Sequence, residues 1–370
     1  MVGRARYALP LSESLARKFD ALAEVFELRV LAGAARADAN GDGIFHLIPP
    51  ARVRALDAAA FYGTLVPRVA SELRRFRPDA VVAQSPYEGL AVLAARRLTS
   101  SSAALVVEIH GDWHTWARLY GSPLRALAAP AADAVAPFAV RRADAVRTLS
   151  AFTEGLVRRA GAEPSASFTT FTDLGAFSEP PAVPLPDRPA ALFVGVLERY
   201  KNVDGIVGAW RRAAPQVPGA TLQIVGRGRE QAQVEALVGE LPEQTRWVPS
   251  LPTSGVVDAL DDAWLLLLAS RSEGTPRVVL EARCRGRAVV GARAGGIPDV
   301  VADEETGLLV DPDDTGQIAA ALVRLLSDRE LAARMGEAGR AGVAEWLYTP
   351  DVYAGRMAEL VEHAIAVRTG

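Results

Sequence analysis

Apolar and polar residues follow two patterns along this chain, and segments with one pattern alternate with segments with the other through most of its length. Stretches with helical periodicity cover 12–24, 54–76, 87–98, 123–142 and 151–160 in the first half, and 203–213, 230–239, 255–260, 276–285 and 350–367 in the second. Short apolar runs typical of buried strands cover 25–31, 80–83, 103–109, 145–149, 191–194, 221–225, 247–249, 264–268 and 288–291. Strands that alternate with helices predict parallel sheets covered by helices on both faces.

The alternation is interrupted between residues 173 and 189, where five prolines stand in a stretch with little apolar periodicity. The sequence therefore predicts an α/β protein with two doubly wound, Rossmann-like domains and an interdomain cleft. We place the first domain at 1–175, the linker at 176–189 and the second domain at 190–348. The last helix, within 349–370, is expected to pack back on the first domain. A chain of 370 residues is long enough for two hydrophobic cores.

Composition excludes several classes of protein. The formal net charge is −3, so the chain lacks the basic surplus of proteins that bind nucleic acid without sequence preference. A single cysteine, Cys284, excludes an internal disulfide framework and a multi-cysteine metal site. Nothing at the amino terminus resembles a cleavable secretory signal, which favours the cytoplasm. The apolar stretch 124–140 is broken by charges and prolines and fails as a spanning helix, while peripheral membrane attachment stays open.

The most informative segment follows the apolar run that ends at residue 268. It places Glu273 and Glu281 with seven residues between them at a predicted junction of strand and helix. Gly274 allows a tight turn, Thr275 can cap a helix, and Pro276 suits the first helical position. The amides at a helix start attract phosphate, and Glu281 lies roughly 8 Å further along the axis. This geometry predicts a site for a nucleotide sugar.

Five segments of the second half follow one another in a recognisable order. They are 193–204, 224–228, 272–282, 295–301 and 306–310. Together they resemble the retaining glycosyltransferases of family 4, which have the two-domain GT-B fold. The likeness is close over about 190–320, whereas the first half agrees mainly in architecture and around His110. The resemblance implies that the second domain holds the donor and that the first meets the acceptor.

The resemblance implies roles for the residues of the strand-to-helix junction. Glu281 would accept hydrogen bonds from the ribose hydroxyls, and Glu273 would contact hydroxyls of the donor sugar. The turn Gly274, Thr275 and Pro276 would present backbone amides to the sugar and the phosphate.

Cations, a histidine and two glycines complete the implied site. Lys201 and Arg199 would supply positive charge to the departing diphosphate, an interaction that acts mainly in the transition state. Only two of the 41 basic residues are lysines, which favours a functional Lys201 over a surface residue. His110 would contact the donor sugar near the reacting carbon. Gly195 and Gly226 belong to turns that would lie near the donor.

Two regions depart from the family pattern. Val196 stands where the family usually has arginine, and Arg199, three residues further on, is the candidate replacement. Residues 7–14 occupy the place of a glycine-rich loop after the first strand. There Ser12 or Ser14 could contribute hydroxyls or amides, although a helix cap is the favoured role of Ser12.

The resemblance therefore implies a retaining glycosyltransferase with a UDP- or GDP-sugar donor. It also implies a front-face transfer to a hydroxyl of a small-molecule, glycan or lipid-linked acceptor, without metal or other cofactor. The acidic pairs at 261–262 and 313–314 are interpreted as exposed turns, not metal ligands. Two alternatives stay open: a sugar-nucleotide epimerase or hydrolase on the same fold, and a noncatalytic sugar-nucleotide-binding protein. An NAD-linked oxidoreductase is weakened by the incomplete glycine pattern after residue 226.

Overall fold

The computed structural model describes residues 1–36, 41, 43–53, 56–114 and 129–370, with the backbone alone at 129–132. These residues form two compact units. The first contains the described residues within 1–171 together with 348–370, and the second contains 172–347. Each unit is a parallel sheet with helices on both faces, which confirms the predicted α/β fold class.

The first unit is built on seven parallel strands. They are β1 Val2–Tyr7, β2 Val30–Ala34, β3 Phe45–Ile48, β4 Ala80–Ala83, β5 Ala104–Ile109, β6 Ala145–Thr148 and β7 Ala166–Ser167. Their order in the sheet is β3-β2-β1-β4-β5-β6-β7. The helices that connect them are α1 Glu13–Val25, α2 Asp57–Arg75, α3 Pro86–Thr99, α4 Ala129–Val140 and α5 Ala151–Arg159.

The structure corrects the sequence prediction at three places in this unit. The predicted strand at 25–31 is wrong, because α1 continues to Val25 and the amide of Phe26 closes its last turn on the carbonyl of Leu22. The strand β2 begins only at Val30, and β3 was not predicted. Ser12 stands at the N-cap position of α1 but makes no side-chain capping bond. Of the helical stretch predicted at 123–142, residues 123–128 lie outside the described residues.

The second unit is built on six parallel strands. They are β8 Ala190–Val194, β9 Thr221–Val225, β10 Thr245–Val248, β11 Leu265–Leu268, β12 Ala288–Ala292 and β13 Gly307–Val310. Their order is β10-β9-β8-β11-β12-β13. The helices are α6 Gly175–Ser178, α7 Val203–Ala213, α8 Gln231–Glu240, α9 Thr253–Asp261, α10 Arg277–Cys284, α11 Thr315–Ser327 and α12 Arg329–Ala341. The strand order reverses direction at β8, so the loops after β8 and β11 are neighbours at the edge where such sheets bind ligands.

The proline-rich segment 176–189, marked as a linker in the sequence, lies within the second unit. Two buried arginines hold its backbone. Arg285 donates to the carbonyls of Pro180 and Pro181 at 2.7 and 2.9 Å, and Arg287 donates to a third carbonyl of the segment at 3.0 Å. Carbonyl groups that no helix or sheet uses are thereby satisfied, which anchors the segment.

The last helix, α13 Pro350–Thr369, belongs to the first unit and packs on α1, β5 and β6. The side chains that this helix buries in the core include Tyr353, Met357 and Leu360. Across the described ranges, no helix is long and apolar enough to cross a membrane.

Candidate functional site

A cavity of about 360 Å³ opens in the second unit, beside the ends of β8 and β11. Its lining residues are Val194, Lys201, Glu273, Thr275, Pro276, Arg277, Val278 and Glu281. The structure thus brings together five of the site residues predicted from the sequence, which come from three segments: the turn after β8, the loop after β11 and the helix α10.

The centre of this cavity wall is an ion pair between Lys201 and Glu273. The Lys201 Nζ lies 2.6 Å from Glu273 Oε1, and the two side chains are only 12% and 13% exposed. An ammonium carries three N–H donors, and Glu273 takes the one hydrogen bond that Nζ makes within the described part of the chain. The ammonium is therefore held in place while keeping donors for a ligand.

The backbone around Lys201 is fixed by its neighbour Asn202. Asn202 is fully buried and has a φ of 59°, in the left-handed region. Its side-chain nitrogen donates to the carbonyls of Ala269 and Pro312 at 3.0 and 2.6 Å. A rare backbone conformation is thus held by buried hydrogen bonds, which sets the direction of the Lys201 side chain.

The loop that carries Glu273 is fixed by the glycine pair at 295–296. The amide of Gly296 donates to the carbonyl of Glu273 at 3.0 Å. Gly295 has a φ of 57°, and an added Cβ would collide with that same carbonyl oxygen. Glycine is required at 295 for both reasons, so this part of the family motif supports the loop of Glu273.

Glu281 is buried on α10 and faces the cavity. Burial raises its pKa, against the opposing effect of Arg277, whose Nε lies 2.6 Å from Glu281 Oε1. Arg277 was missed in the sequence, although its i,i+4 spacing from a glutamate was a usable signal. The site thus holds two carboxylates, each paired with one cation.

The predicted start of this helix is wrong by one residue. The helix α10 begins at Arg277, and Pro276 occupies the N-cap position with extended backbone and no side-chain capping bond. The proline ψ of 103° lies outside the helical region, so Thr275 is not the cap and Pro276 is not the first helical residue.

Five predicted residues lie outside the lining of this cavity: His110, which belongs to the first unit, and Gly195, Arg199, Gly226 and Gly274 of the second. The amides of Gly195 and Gly226 continue the sheet ladder, donating at 3.0 Å to the carbonyls of the last residues of β9 and β10. A Cβ at Gly226, where φ is 150°, would collide with the Gly195 carbonyl. Arg199 is exposed, and its carbonyl accepts a bond from Arg271 at 3.1 Å.

His110 lies in the first unit, directly after β5. Its Nε2 is 3.0 Å from Oε2 of Glu108, a carboxylate that is 1% exposed. Glu108 is paired in turn with the buried Arg147 at 2.8 Å. Burial alone would raise the pKa of Glu108, but Arg147, His110 and Lys18 lower it to about 2. Glu108 was not predicted from the sequence, where the usable signal was an acidic residue inside an apolar run, two residues before a histidine.

The acidic pairs behave as structural groups. Asp261 is bound by Arg285 and Arg287, so its prediction as an exposed turn is wrong. Asp313 is exposed and pairs with Arg271 at 3.0 Å. Over the described ranges, no three side chains of His, Cys, Asp or Glu converge in a way that could hold a metal ion.

Comparison with known proteins gives matches in both halves of the chain. The family model described as Glycosyl transferases group 1 matches residues 179–342, and the model described as Glycosyl transferase 4-like domain matches residues 3–167. Sucrose-phosphate synthase from Thermosynechococcus elongatus has the same fold, with a TM-score of 0.76, 20% identity and coverage of 99% of both chains.

Two curated relatives extend the comparison. The chain is 33% identical over 154 residues to N-acetyl-alpha-D-glucosaminyl L-malate synthase of Bacillus anthracis, covering 42% of this chain and 40% of that protein. It is 28% identical over 300 residues to GDP-mannose-dependent alpha-(1-6)-phosphatidylinositol monomannoside mannosyltransferase of Mycobacterium tuberculosis, covering 75% of this chain and 74% of that protein. The matched region therefore spans about two fifths of the first relative and three quarters of the second.

Proposed function

Because the chain belongs to the glycosyltransferases of family 4 type with the GT-B fold, we propose that it is a retaining glycosyltransferase. Its donor is a nucleoside-diphosphate sugar, and its acceptor provides a hydroxyl group. The observation that carries this proposal is the Lys201–Glu273 ion pair on the wall of a cavity that Glu281 also lines.

The site suits an anionic leaving group. When the bond between the sugar and the diphosphate breaks, negative charge grows on the departing phosphate oxygen. An ammonium already held beside that oxygen stabilises the transition state more than the ground state. Lys201 has this role in our proposal, and Glu273 both positions its Nζ and contacts hydroxyls of the sugar. Arg199 and the turn at 274–276 are assigned to the same donor on the basis of the family resemblance.

Glu281 is assigned to the ribose of the donor. Its carboxylate lies in the same cavity as Lys201. An ionised carboxylate can accept hydrogen bonds from the ribose hydroxyls. Arg277 neutralises part of its charge at 2.6 Å, which lowers the cost of keeping a buried carboxylate ionised beside a diphosphate.

The reaction proceeds on one face of the sugar. The acceptor oxygen forms a bond to the anomeric carbon on the side from which the diphosphate departs, and the acceptor proton passes to the departing phosphate oxygen. The products are the glycoside and the nucleoside diphosphate. No protein nucleophile is needed. We keep His110 in this proposal as the residue that contacts the transferred sugar.

The test combines binding with turnover. Wild-type protein is heated with UDP, GDP or ADP, and a bound nucleotide raises the melting temperature as its concentration rises. We expect one of these nucleotides to do so, and we expect Lys201→Ala to reduce the shift. Arg211→Ala is the matched control, because Arg211 forms an exposed ion pair with Glu240 in the same unit. No shift with any nucleotide, or equal shifts in all three proteins, would contradict the proposal.

Turnover separates the alternatives. Labelled UDP-, GDP- and ADP-sugars are incubated with the protein and a panel of small-molecule, glycan and lipid-linked acceptors. A labelled glycoside with the donor's anomeric configuration is the expected product. A free sugar epimer would favour an epimerase, a hydrolysed sugar a hydrolase, and binding without turnover a noncatalytic protein.

A further inference from the structure

The buried carboxylate of Glu108 and the imidazole of His110 form a hydrogen-bonded pair at the end of β5. Residues two apart along a strand point to the same side of the sheet, so Glu108 near the end of β5 lies beside His110. Their atoms Oε2 and Nε2 are 3.0 Å apart. Glu108 is 1% exposed, whereas the His110 side chain is 40% exposed, so one partner is fixed inside the unit and the other reaches solvent.

The surroundings of Glu108 keep it ionised. Arg147 is its neighbour in register on β6 and lies 2.8 Å away, with no exposed side-chain surface. The Arg147 guanidinium lies 4.7 Å from the ring centre of Phe168 and 5.6 Å from that of Tyr353, on α13. The Arg147 Nη1 also donates to the Phe168 carbonyl at 3.2 Å. Lys18, buried on α1, adds a second favourable charge.

An ionised carboxylate can only accept hydrogen bonds. The hydrogen between Glu108 and His110 must therefore belong to the imidazole, at Nε2. A neutral imidazole has one N–H, so Nδ1 is left with a lone pair. Within the described residues, no hydrogen bond engages Nδ1 of His110.

We propose that Glu108 is a positioning residue that fixes His110 in the Nε2–H tautomer, so that Nδ1 accepts a hydrogen bond from a hydroxyl of the transferred sugar. This inference rests on the proposed function, in which His110 contacts that sugar. The direction of the hydrogen bond at Nδ1 matters, because a lone pair there attracts a hydroxyl and repels a phosphate oxygen. The role of His110 is thereby assigned to the sugar and not to the diphosphate.

The test is nitrogen-15 NMR of the wild-type protein with labelled histidine, at about pH 8, above the usual histidine pKa of about 6.5. The chain has four histidines, so His110→Ala identifies the signals of His110. We expect a pyrrole-type Nε2, a pyridine-type Nδ1 and a separate, slowly exchanging Hε2 proton. A proton on Nδ1, or an Hε2 proton that exchanges as fast as that of an exposed histidine, would overturn the inference. Neither outcome depends on glycosyltransferase activity, so failure of this inference is distinguishable from failure of the proposed function.

A variant pair completes the test. Glu108→Gln replaces an acceptor-only group by an amide that both donates and accepts, so the single tautomer should be lost. Glu88→Gln is the control, because Glu88 is another buried glutamate of the same unit, bonded to Tyr62 at 3.2 Å. We expect kcat/KM to fall about 10-fold in Glu108→Gln and His110 to keep one tautomer in Glu88→Gln. An unchanged His110 spectrum in Glu108→Gln would overturn the inference. If that variant does not fold, the wild-type spectrum decides alone.

Discussion

In each unit one of the chain's two lysines interacts electrostatically with a glutamate, but the two clusters differ in burial. In the first unit, Glu108 lies among Lys18 and Arg147, and all three side chains are buried. In the second unit, Lys201 and Glu273 form a single pair on the wall of a cavity. The first cluster has the contacts of a structural support, whereas the second keeps donors for a ligand. Damage to the first should mainly lower stability, with a smaller effect on rate through His110, and damage to the second should lower binding or rate.

The largest expected effect is on stability, in the first unit. Arg147→Ala leaves the buried Glu108 without its principal ion-pair partner, which should lower the free energy of unfolding by about 3–5 kcal/mol. Urea unfolding followed by circular dichroism measures it. Arg211→Ala, which breaks an exposed pair, should cost at most about 1 kcal/mol. Similar losses in the two variants would remove the distinction between the clusters.

The next effect is on the rate, in the second unit. Lys201→Ala removes the cation beside the leaving group and should lower kcat about 100- to 1000-fold, or about 3–4 kcal/mol. Steady-state assays of glycoside formation measure it, together with the melting temperature. Lys201→Arg, which keeps the charge but not the compact ammonium, should recover part of the loss. A Lys201→Ala variant with wild-type kcat would exclude Lys201 from the reaction.

A third effect is a difference in acid sensitivity. The folded protein holds the pKa of Glu108 at about 2, below its usual 4.5. Between pH 2 and pH 4.5 the unfolded chain therefore binds a proton at Glu108 that the folded protein does not bind. The stability from Glu108, about 3 kcal/mol, is therefore complete above pH 4.5 and is lost as pH falls toward 2. Urea unfolding across this range measures it. The free energy of unfolding should fall more steeply with falling pH in the wild type than in Glu108→Gln. Equal slopes would show that Glu108 is not held ionised.

The smallest effect is on donor affinity. Glu281→Ala should weaken binding of the preferred nucleoside diphosphate by about 1.5–3 kcal/mol, because hydrogen bonds from the ribose to a carboxylate are lost. Isothermal titration calorimetry measures it. Glu281→Gln keeps the shape and an acceptor oxygen, so it should fall between Glu281→Ala and the wild type. Equal affinity in the three proteins would place the ribose elsewhere.

The parts of the structure that local sequence signals determine were predicted well. The apolar run before residue 269, the turn glycine and the two glutamates predicted a junction of strand and helix, and the structure has it between β11 and α10. The strand at 25–31 was wrong because an apolar run does not show where the helix before it ends. The anchoring of 176–189 was missed because it depends on Arg285 and Arg287, about a hundred residues further along the chain.

Side-chain partners were harder to predict than elements. The pairing of Lys201 with Glu273 joins residues 72 positions apart and requires β8 to lie next to β11, which is a property of topology. The pairing of Glu108 with Arg147 requires the register of β5 and β6. In both cases the charged residues were visible in the sequence, but their neighbours depend on contacts that no local pattern encodes.

The most direct measurement is a crystal structure of the protein soaked with UDP or GDP. The account predicts the diphosphate within hydrogen-bonding distance of the Lys201 Nζ and the ribose hydroxyls at the carboxylate of Glu281. Nucleotide bound at another place in the molecule, with these two side chains directed into solvent, would contradict it.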